Sequence, residues 1–185
     1  MIFFHPKRWW RIIWHGKWPK AEVKCGHLVG KFTANSPIYI CGEGSVELNS
    51  TKFGYPPYFG KGIIEARNPD ALVKIGDPWI NNNFYCIADH GKIVIGDKCL
   101  IGINVQIINS DFHPISVAKR HDSTSKSKDV IIGNNVFIGN NVSICKGVHV
   151  GNNAVIANGS VVFDDVKENT IVRGNPAVFY KEIYG

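Results

Sequence analysis

Aliphatic residues recur at every sixth position through the second half of the chain. Ile132, Ile138, Ile144, Val150, Ile156 and Val162 keep that spacing without a slip, opening the hexads IGNNVF, IGNNVS, ICKGVH, VGNNAV and IANGSV and a last, shorter VFDDV. The fifth place is small or branched (Val136, Val142, Val148, Ala154, Ser160, Val166), whereas the third and fourth are mostly Asn, Asp or Gly. Asn and Gly tolerate left-handed backbone angles, so each hexad predicts a short strand with its aliphatic residue inward, followed by a corner. Three such sides close a triangular coil of about 18 residues, and coils stack as parallel strands roughly 4.8 Å apart.

A weaker upstream tract obeys the same rule, with Ile95, Ile101 and Ile107 opening IGDKCL, IGINVQ and IINSDF. Further back, Ile63, Pro69 and Ile75 hold the spacing, and Ile75-Gly76-Asp77 holds the chemistry as well. Between the two tracts the register breaks. Ile107 and Ile132 are 25 positions apart, one more than four hexads, and HPISVAKRHDSTSKSKDVI has too few aliphatics to form coils. That stretch reads as a loop extruded from the prism over residues 113–131, opening with His113-Pro114. A rigid scaffold under such a loop is a common setting for functional residues.

Composition narrows the picture. The 185 residues suit one domain with appendages, and no apolar run approaches the length of a membrane-spanning helix. Nineteen glycines agree with an all-β fold of repeated tight turns. The net charge of +6 favours an anionic partner without naming one. Its basic residues are scattered and carry no RNA-binding signature, which argues against a nucleic-acid partner. Cys25, Cys41, Cys86, Cys99 and Cys145 form no CxxC pair, so reduced thiols in a cytoplasmic protein are expected rather than disulfides or a zinc knuckle. None of the seven histidines has the spacing of a zinc carbonic anhydrase built on stacked hexads, and no metal is expected.

The hexads, the His-Pro pair at the mouth of an extruded loop, the run VIIGNNVFIGNNVSICKGVHVGNNAVIANGSVV and the closing RGNPA together resemble the hexapeptide-repeat acyltransferases, particularly the galactoside, maltose and nodulation-factor sugar O-acetyltransferases. The resemblance is strongest from Ile75 to Ile183. It implies a left-handed parallel β-helix with an extruded loop and a short C-terminal helix, a homotrimer, and acetyl-CoA as cosubstrate. The implied activity is O-acetylation of a sugar hydroxyl in surface polysaccharide or glycolipid synthesis; N-acetylation of an amino sugar is the alternative.

The resemblance also implies site residues. His113 becomes the general base, a role suited to an imidazole titrating near neutrality. Asn82 becomes an acceptor contact, with Asn81 or Asn83 able to serve instead. His90 stands where the family often has an acidic residue, with Asp89 beside it. Asp111, two residues from His113, or else a backbone carbonyl, would orient the imidazole. Coenzyme A would lie between adjacent prisms, against Phe137 and the backbone amides near the corner residues Asn140 and Asn158, one of which could polarise the thioester oxygen. Its phosphates would meet Lys181, with Arg173 or Lys167 supplying further charge. Asn175-Pro176 would cap and begin the C-terminal helix.

The first 62 residues fit the family poorly. The first 20 of them interleave five basic residues with Trp9, Trp10, Trp14 and Trp18. They are either a cap on the open end of the prism or an interfacial helix at the inner membrane surface. The expected organisation is therefore this segment at 1–20, a β-helix domain at 21–167 and a tail at 168–185. Tyr55 to Phe59 form an aromatic turn, either an ordinary packed loop or part of a sugar site.

Overall fold

The computed structural model describes residues 21–55, 60–122 and 126–184. The N-terminal basic and aromatic segment and most of the Tyr55–Phe59 turn lie outside the described residues. Among the described residues, seventeen strands and a single 3-10 turn, η1 (Val117–Lys119), make up the regular structure. They form a parallel β-solenoid. The first coils are two long strands, β1 (Ala21–Ala34) and β2 (Ile38–Phe53), paired in parallel with register shifts at Cys25/His27 and Lys31/Phe32.

After β2 each side is a separate short strand. The first side stacks β3 (Gly62–Ala66), β6 (Tyr85–Ala88), β9 (Gln106–Ile108), β12 (Ser143–Ile144) and β15 (Val161–Val162). The second stacks β4 (Leu72–Ile75), β7 (Lys92–Ile95), β10 (Val130–Ile132) and β13 (His149–Val150), ending in a bridge to Val166. The third stacks β5 (Trp79–Ile80), β8 (Leu100–Ile101), β11 (Phe137–Ile138), β14 (Val155–Ile156) and β16 (Thr170–Arg173).

The six-residue period is the cause of this stacking. Each hexad's aliphatic residue points inward and lands in register on its counterpart one coil away, as Ile132 on Val150, Ile138 on Ile156 and Ile144 on Val162. All six are 3% exposed or less. Each buried side chain contributes about 1.5–3 kcal/mol of hydrophobic stabilisation. The fifth-place residues Val136, Val142, Val148, Ala154 and Ser160 are buried beside them. The fourth place takes the left-handed conformation at Asn135, Asn141, Gly147, Asn153 and Gly159, with φ between 55 and 82°. Fourth-place Asn side chains also form a ladder: Asn135 donates to Asn153 at 2.9 Å, and Asn153 to Asn169 at 2.8 Å.

Two expectations are corrected. The upstream inward position is Ile64, fully buried, and not Ile63; Pro69 is exposed. Adjacent strand residues point to opposite faces, so a shift of one position exchanges inside for outside. The C-terminal segment is not a helix. Asn175 and Pro176 lie in a turn, and the chain returns as β17 (Val178–Glu182), antiparallel to β16. With no coil beyond it, β16 offers an unpaired edge, and a hairpin strand satisfies those backbone groups where a helix would not.

Candidate active site

The corner between the third and first sides carries a groove. Its rungs are Asn81, Gly102, Gly139, Ala157 and then Arg173, joined by hydrogen bonds from each rung's N–H to the carbonyl one coil on, such as Gly102 to Ile138 at 2.8 Å and Gly139 to Ile156 at 2.8 Å. The groove has a volume of about 510 Å³ and is lined by Tyr55, Trp79, Leu100, Phe137, Asn140 and Asn158, among others. Trp79, Leu100 and Phe137 follow one another in register on the outer face of the third side and are 42%, 55% and 49% exposed. Tyr55 packs its ring 6.4 Å from that of Trp79.

Gly102 and Gly139 in this groove have the next coil's Asn packed directly against them. A Cβ on Gly102 would lie 2.5 Å from Asn140 Oδ1, and one on Gly139 would lie 2.3 Å from Asn158 Oδ1. Those Asn oxygens are already engaged: Asn140 Oδ1 accepts the Ile103 N–H at 2.8 Å, and Asn158 Oδ1 accepts the Asn140 N–H at 2.7 Å. Phe137, Asn140 and Asn158, three residues expected at the cofactor site, therefore share one surface, and Asn140 spends its N–H on the scaffold.

The other expected cofactor residues lie on the C-terminal hairpin. Lys181 pairs with Ile171, and Arg173 with Val178. The Arg173 guanidinium stacks 3.7 Å from the Tyr180 ring centroid, and the Lys181 ammonium lies 5.8 Å from it. Both are exposed, so this end of the third side is positively charged. Lys167, by contrast, pairs with Glu182 at 3.6 Å.

His113 belongs to a different corner. Pairs that bracket the loop, Ile95–Ile132, Ile101–Ile138 and Ile107–Ile144, are each 37 positions apart instead of 18, so 19 residues are extruded between β9 and β10, where the first side meets the second. His113 is exposed there, its N–H donating to the Asp111 carbonyl at 2.6 Å. The Asp111 carboxylate is paired with Lys146, whose ammonium also reaches the Lys126 carbonyl at 3.3 Å. Asp111 thus touches His113 through its backbone, and its carboxylate ties the loop to the corner of the next coil.

His90 lies at the same corner as the loop. Its Nδ1 is 2.8 Å from Asp70 Oδ1, a contact that fixes the ring, and no sequence spacing pointed to Asp70 as the partner. Asn82 is elsewhere: it is 2% exposed, its Oδ1 accepting the Tyr55 N–H at 3.1 Å and its Nδ2 donating to the Tyr55 carbonyl at 3.3 Å. Of its neighbours, Asn81 lines the groove and Asn83 joins the Asn ladder through Asn104 at 2.9 Å. The aromatic residues Tyr55 and Trp79 are groove walls that the hexad pattern did not single out.

The cysteines have the character of core thiols. Burial raises the Cys145 thiol above its ordinary value, and the charge of Asp111 adds to the effect. Burial likewise pushes up Cys99 and, most strongly, Cys86. All five are free, and a thiol raised in this way is a poor nucleophile near neutrality. Among the described residues no group of three His, Cys, Asp or Glu is gathered to hold a metal ion.

Residues 129–164 match the bacterial transferase hexapeptide family, described by six repeats. The chain carries the hexapeptide repeat of that family across this stretch. Relatives of this hexapeptide-repeat protein are named acetyltransferases. It is 40% identical over 157 residues to a sophorolipid acetyltransferase of Starmerella bombicola, an alignment covering 82% of this chain and 58% of that one. Among solved structures, a polysialic acid O-acetyltransferase superposes with a TM-score of 0.64 at 26% identity, covering 91% of this chain and 85% of the other. A hexapeptide-repeat acetyltransferase of Vibrio cholerae complexed with acetyl coenzyme A gives 0.57 at 25% identity, covering 86% and 72%. The chain spans about half the length of the curated relatives it matches, or less.

Proposed function

We propose that this hexapeptide-repeat protein is an acetyl-CoA-dependent O-acetyltransferase that modifies a sugar hydroxyl of a glycan or glycolipid, and that it works as a homotrimer. The observation that carries this reading is the separation of two half-sites on one chain. A groove flanked by Trp79, Leu100 and Phe137 lies at one corner of the prism, and the His113 loop at another. Packing one prism's loop against the next prism's groove in a closed ring unites them and covers the apolar stripe of the third side. The named substrates of the relatives, a sophorolipid and polysialic acid, support a glycan or glycolipid acceptor.

In this arrangement the groove beside Trp79, Leu100 and Phe137 holds the pantetheine arm, and Arg173 and Lys181 meet the phosphates beyond. His113 from the adjacent copy removes the proton of the acceptor hydroxyl as its oxygen bonds to the thioester carbonyl carbon. A backbone N–H near Asn158 stabilises the oxyanion that forms, those of Gly102, Ile103, Gly139 and Asn140 being bonded within the scaffold. When the carbon–sulfur bond breaks, the imidazolium returns its proton to the departing thiolate, giving the acetyl ester and free coenzyme A. No covalent enzyme intermediate is required, which agrees with the suppressed thiols at Cys99 and Cys145.

His90, held by Asp70, faces the same loop corner and is positioned to contact the acceptor. Among the described residues no helix is long and apolar enough to cross a membrane. Dependence on acetyl-CoA places the proposed activity in the cytoplasm, with residues 1–20 available to touch the inner membrane surface where lipid-linked glycans are assembled. The experiment for this reading is a thermal-shift titration with acetyl-CoA, coenzyme A and free adenosine, followed by thiol release in the presence of sugars. A saturable rise in Tm with the two coenzyme species and sugar-dependent thiol release are expected; no shift with either species would reject it.

A further inference from the structure

A buried polar knot joins the two stems of the extruded loop, and its centre is Asp89, which is 8% exposed. Asp89 Oδ2 accepts the Ser110 hydroxyl from the entering stem at 2.9 Å and the Ser127 hydroxyl from the leaving stem at 3.4 Å. Its Oδ1 accepts Asn68 Nδ2 at 3.1 Å and lies 3.9 Å from Arg67 Nη1. Asn109, fully buried, closes the knot from the other side: its Oδ1 accepts the Asp89 N–H at 2.8 Å, and its carbonyl accepts the Lys128 N–H at 2.9 Å.

From this knot a short run of contacts leads to the imidazole. The Ser110 hydroxyl oxygen accepts the Phe112 N–H at 3.0 Å, and Phe112 has φ of 59°, a left-handed conformation that costs a bulky residue energy unless neighbours impose it. The Arg67 guanidinium sits 4.4 Å from the Phe112 ring centroid and holds the ring in that conformation, with Glu65 fixing Arg67 in turn at 2.9 and 3.2 Å. His113 follows directly. The solenoid itself does not need a carboxylate here, because the coil after next turns the same corner with Cys145-Lys146-Gly147. A buried carboxylate is costly unless every lone pair is met, and here the donors that meet it come from both loop stems.

We infer that Asp89 is a positioning residue: through Ser110 and the left-handed Phe112 it sets the direction in which His113 leaves the prism. This rests on the reading of His113 as the base. Ser110 and Ser127 donate to one carboxylate oxygen and Asn68 to the other. The isosteric Asp89→Asn therefore turns an NH2 group toward one of these sides, removing the charge and reversing or losing a hydrogen bond without changing the volume.

The test compares Asp89→Asn, Ser110→Ala, Ser110→Thr and His113→Ala in the full chain. Misplacing the base by about 1 Å predicts a fall in kcat of about 100-fold for Asp89→Asn and for Ser110→Ala, with acetyl-CoA KM within about twofold. Ser110→Thr keeps the hydroxyl and is expected to restore most of kcat. Hydrogen exchange should quicken in the peptide covering residues 109–114 and stay unchanged across residues 130–162. Wild-type kcat in Asp89→Asn, or a loss of kcat matched by faster exchange throughout the solenoid, overturns the inference. If His113→Ala itself stays active, the reading of the base fails and this inference with it; an inactive His113→Ala beside a fully active Asp89→Asn rejects the positioning role alone.

Discussion

Gly139 lies directly against Asn158: the amide oxygen that accepts the Asn140 N–H at 2.7 Å leaves no room for a Cβ on the glycine, which would sit 2.3 Å away. The same relation ties Gly102 to Asn140 one coil earlier, so the third-place Asn of one hexad dictates the second-place Gly of another. Backbone atoms of Asn158 are also close, and a side-chain rotation would not relieve the clash. Gly139→Ala is expected to destabilise the protein by about 1–3 kcal/mol, as overpacking does. Chemical denaturation reads this directly, and an unchanged midpoint would contradict the account of the corner.

The inward ladder gives a second expectation. Ile138 is fully buried between Ile101 and Ile156, and every coil covers its neighbour. Ile138→Ala should cost about 2–5 kcal/mol, whereas Phe137→Ala, on the outer face beside it, should leave the isolated prism nearly as stable. Comparison of the two unfolding midpoints decides the matter.

The cysteines predict a pH dependence. Burial and the Asp111 charge raise the Cys145 thiol above its ordinary value, so the proton is retained through neutrality and the reactive thiolate appears only in alkali. Alkylation of native protein at pH 7 should therefore be slower than that of a free thiol and should accelerate as the pH rises past that value. Fast labelling of Cys145 at pH 7 would argue against the environment described.

Much of this was legible in the sequence, and the limits have physical causes. The hexads from Ile132 to Val162 revealed both the inward face and the left-handed corners, since a period of six fixes side-chain direction and only Asn and Gly accept that backbone angle cheaply. Upstream, coils of irregular length broke the count, and Ile64 displaced Ile63 at the inward position. The C-terminal strand was hidden because Asn175-Pro176 suits a turn as readily as a helix start. Phe137, Asn140 and Asn158, grouped by the resemblance, line one groove, but Asp70, Trp79 and the Asp89 knot depend on contacts between coils about 20 residues apart. Spacing along one chain does not encode such contacts.

His113→Ala should lower turnover by roughly 10²–10⁴-fold while leaving the Tm and its rise with acetyl-CoA intact. Residues 112, 114–122 and 126–129 are expected to stay in place, because the loop is held by Asp89, Asn109 and Lys146 and not by the imidazole. A variant that keeps more than about a tenth of wild-type turnover would remove His113 from the chemistry.

The most direct measurement mixes two inactive variants. His113→Ala lacks the base but keeps its groove; Ala157→Trp keeps the base but fills the corner rung between Gly139 and Arg173. If each site joins one copy's loop to the next copy's groove, random trimers of the two variants rebuild intact sites at about a quarter of the wild-type number. Recovered activity near that level, from variants that are inactive alone, is the predicted result. Mixed trimers with no activity would contradict a site shared between copies.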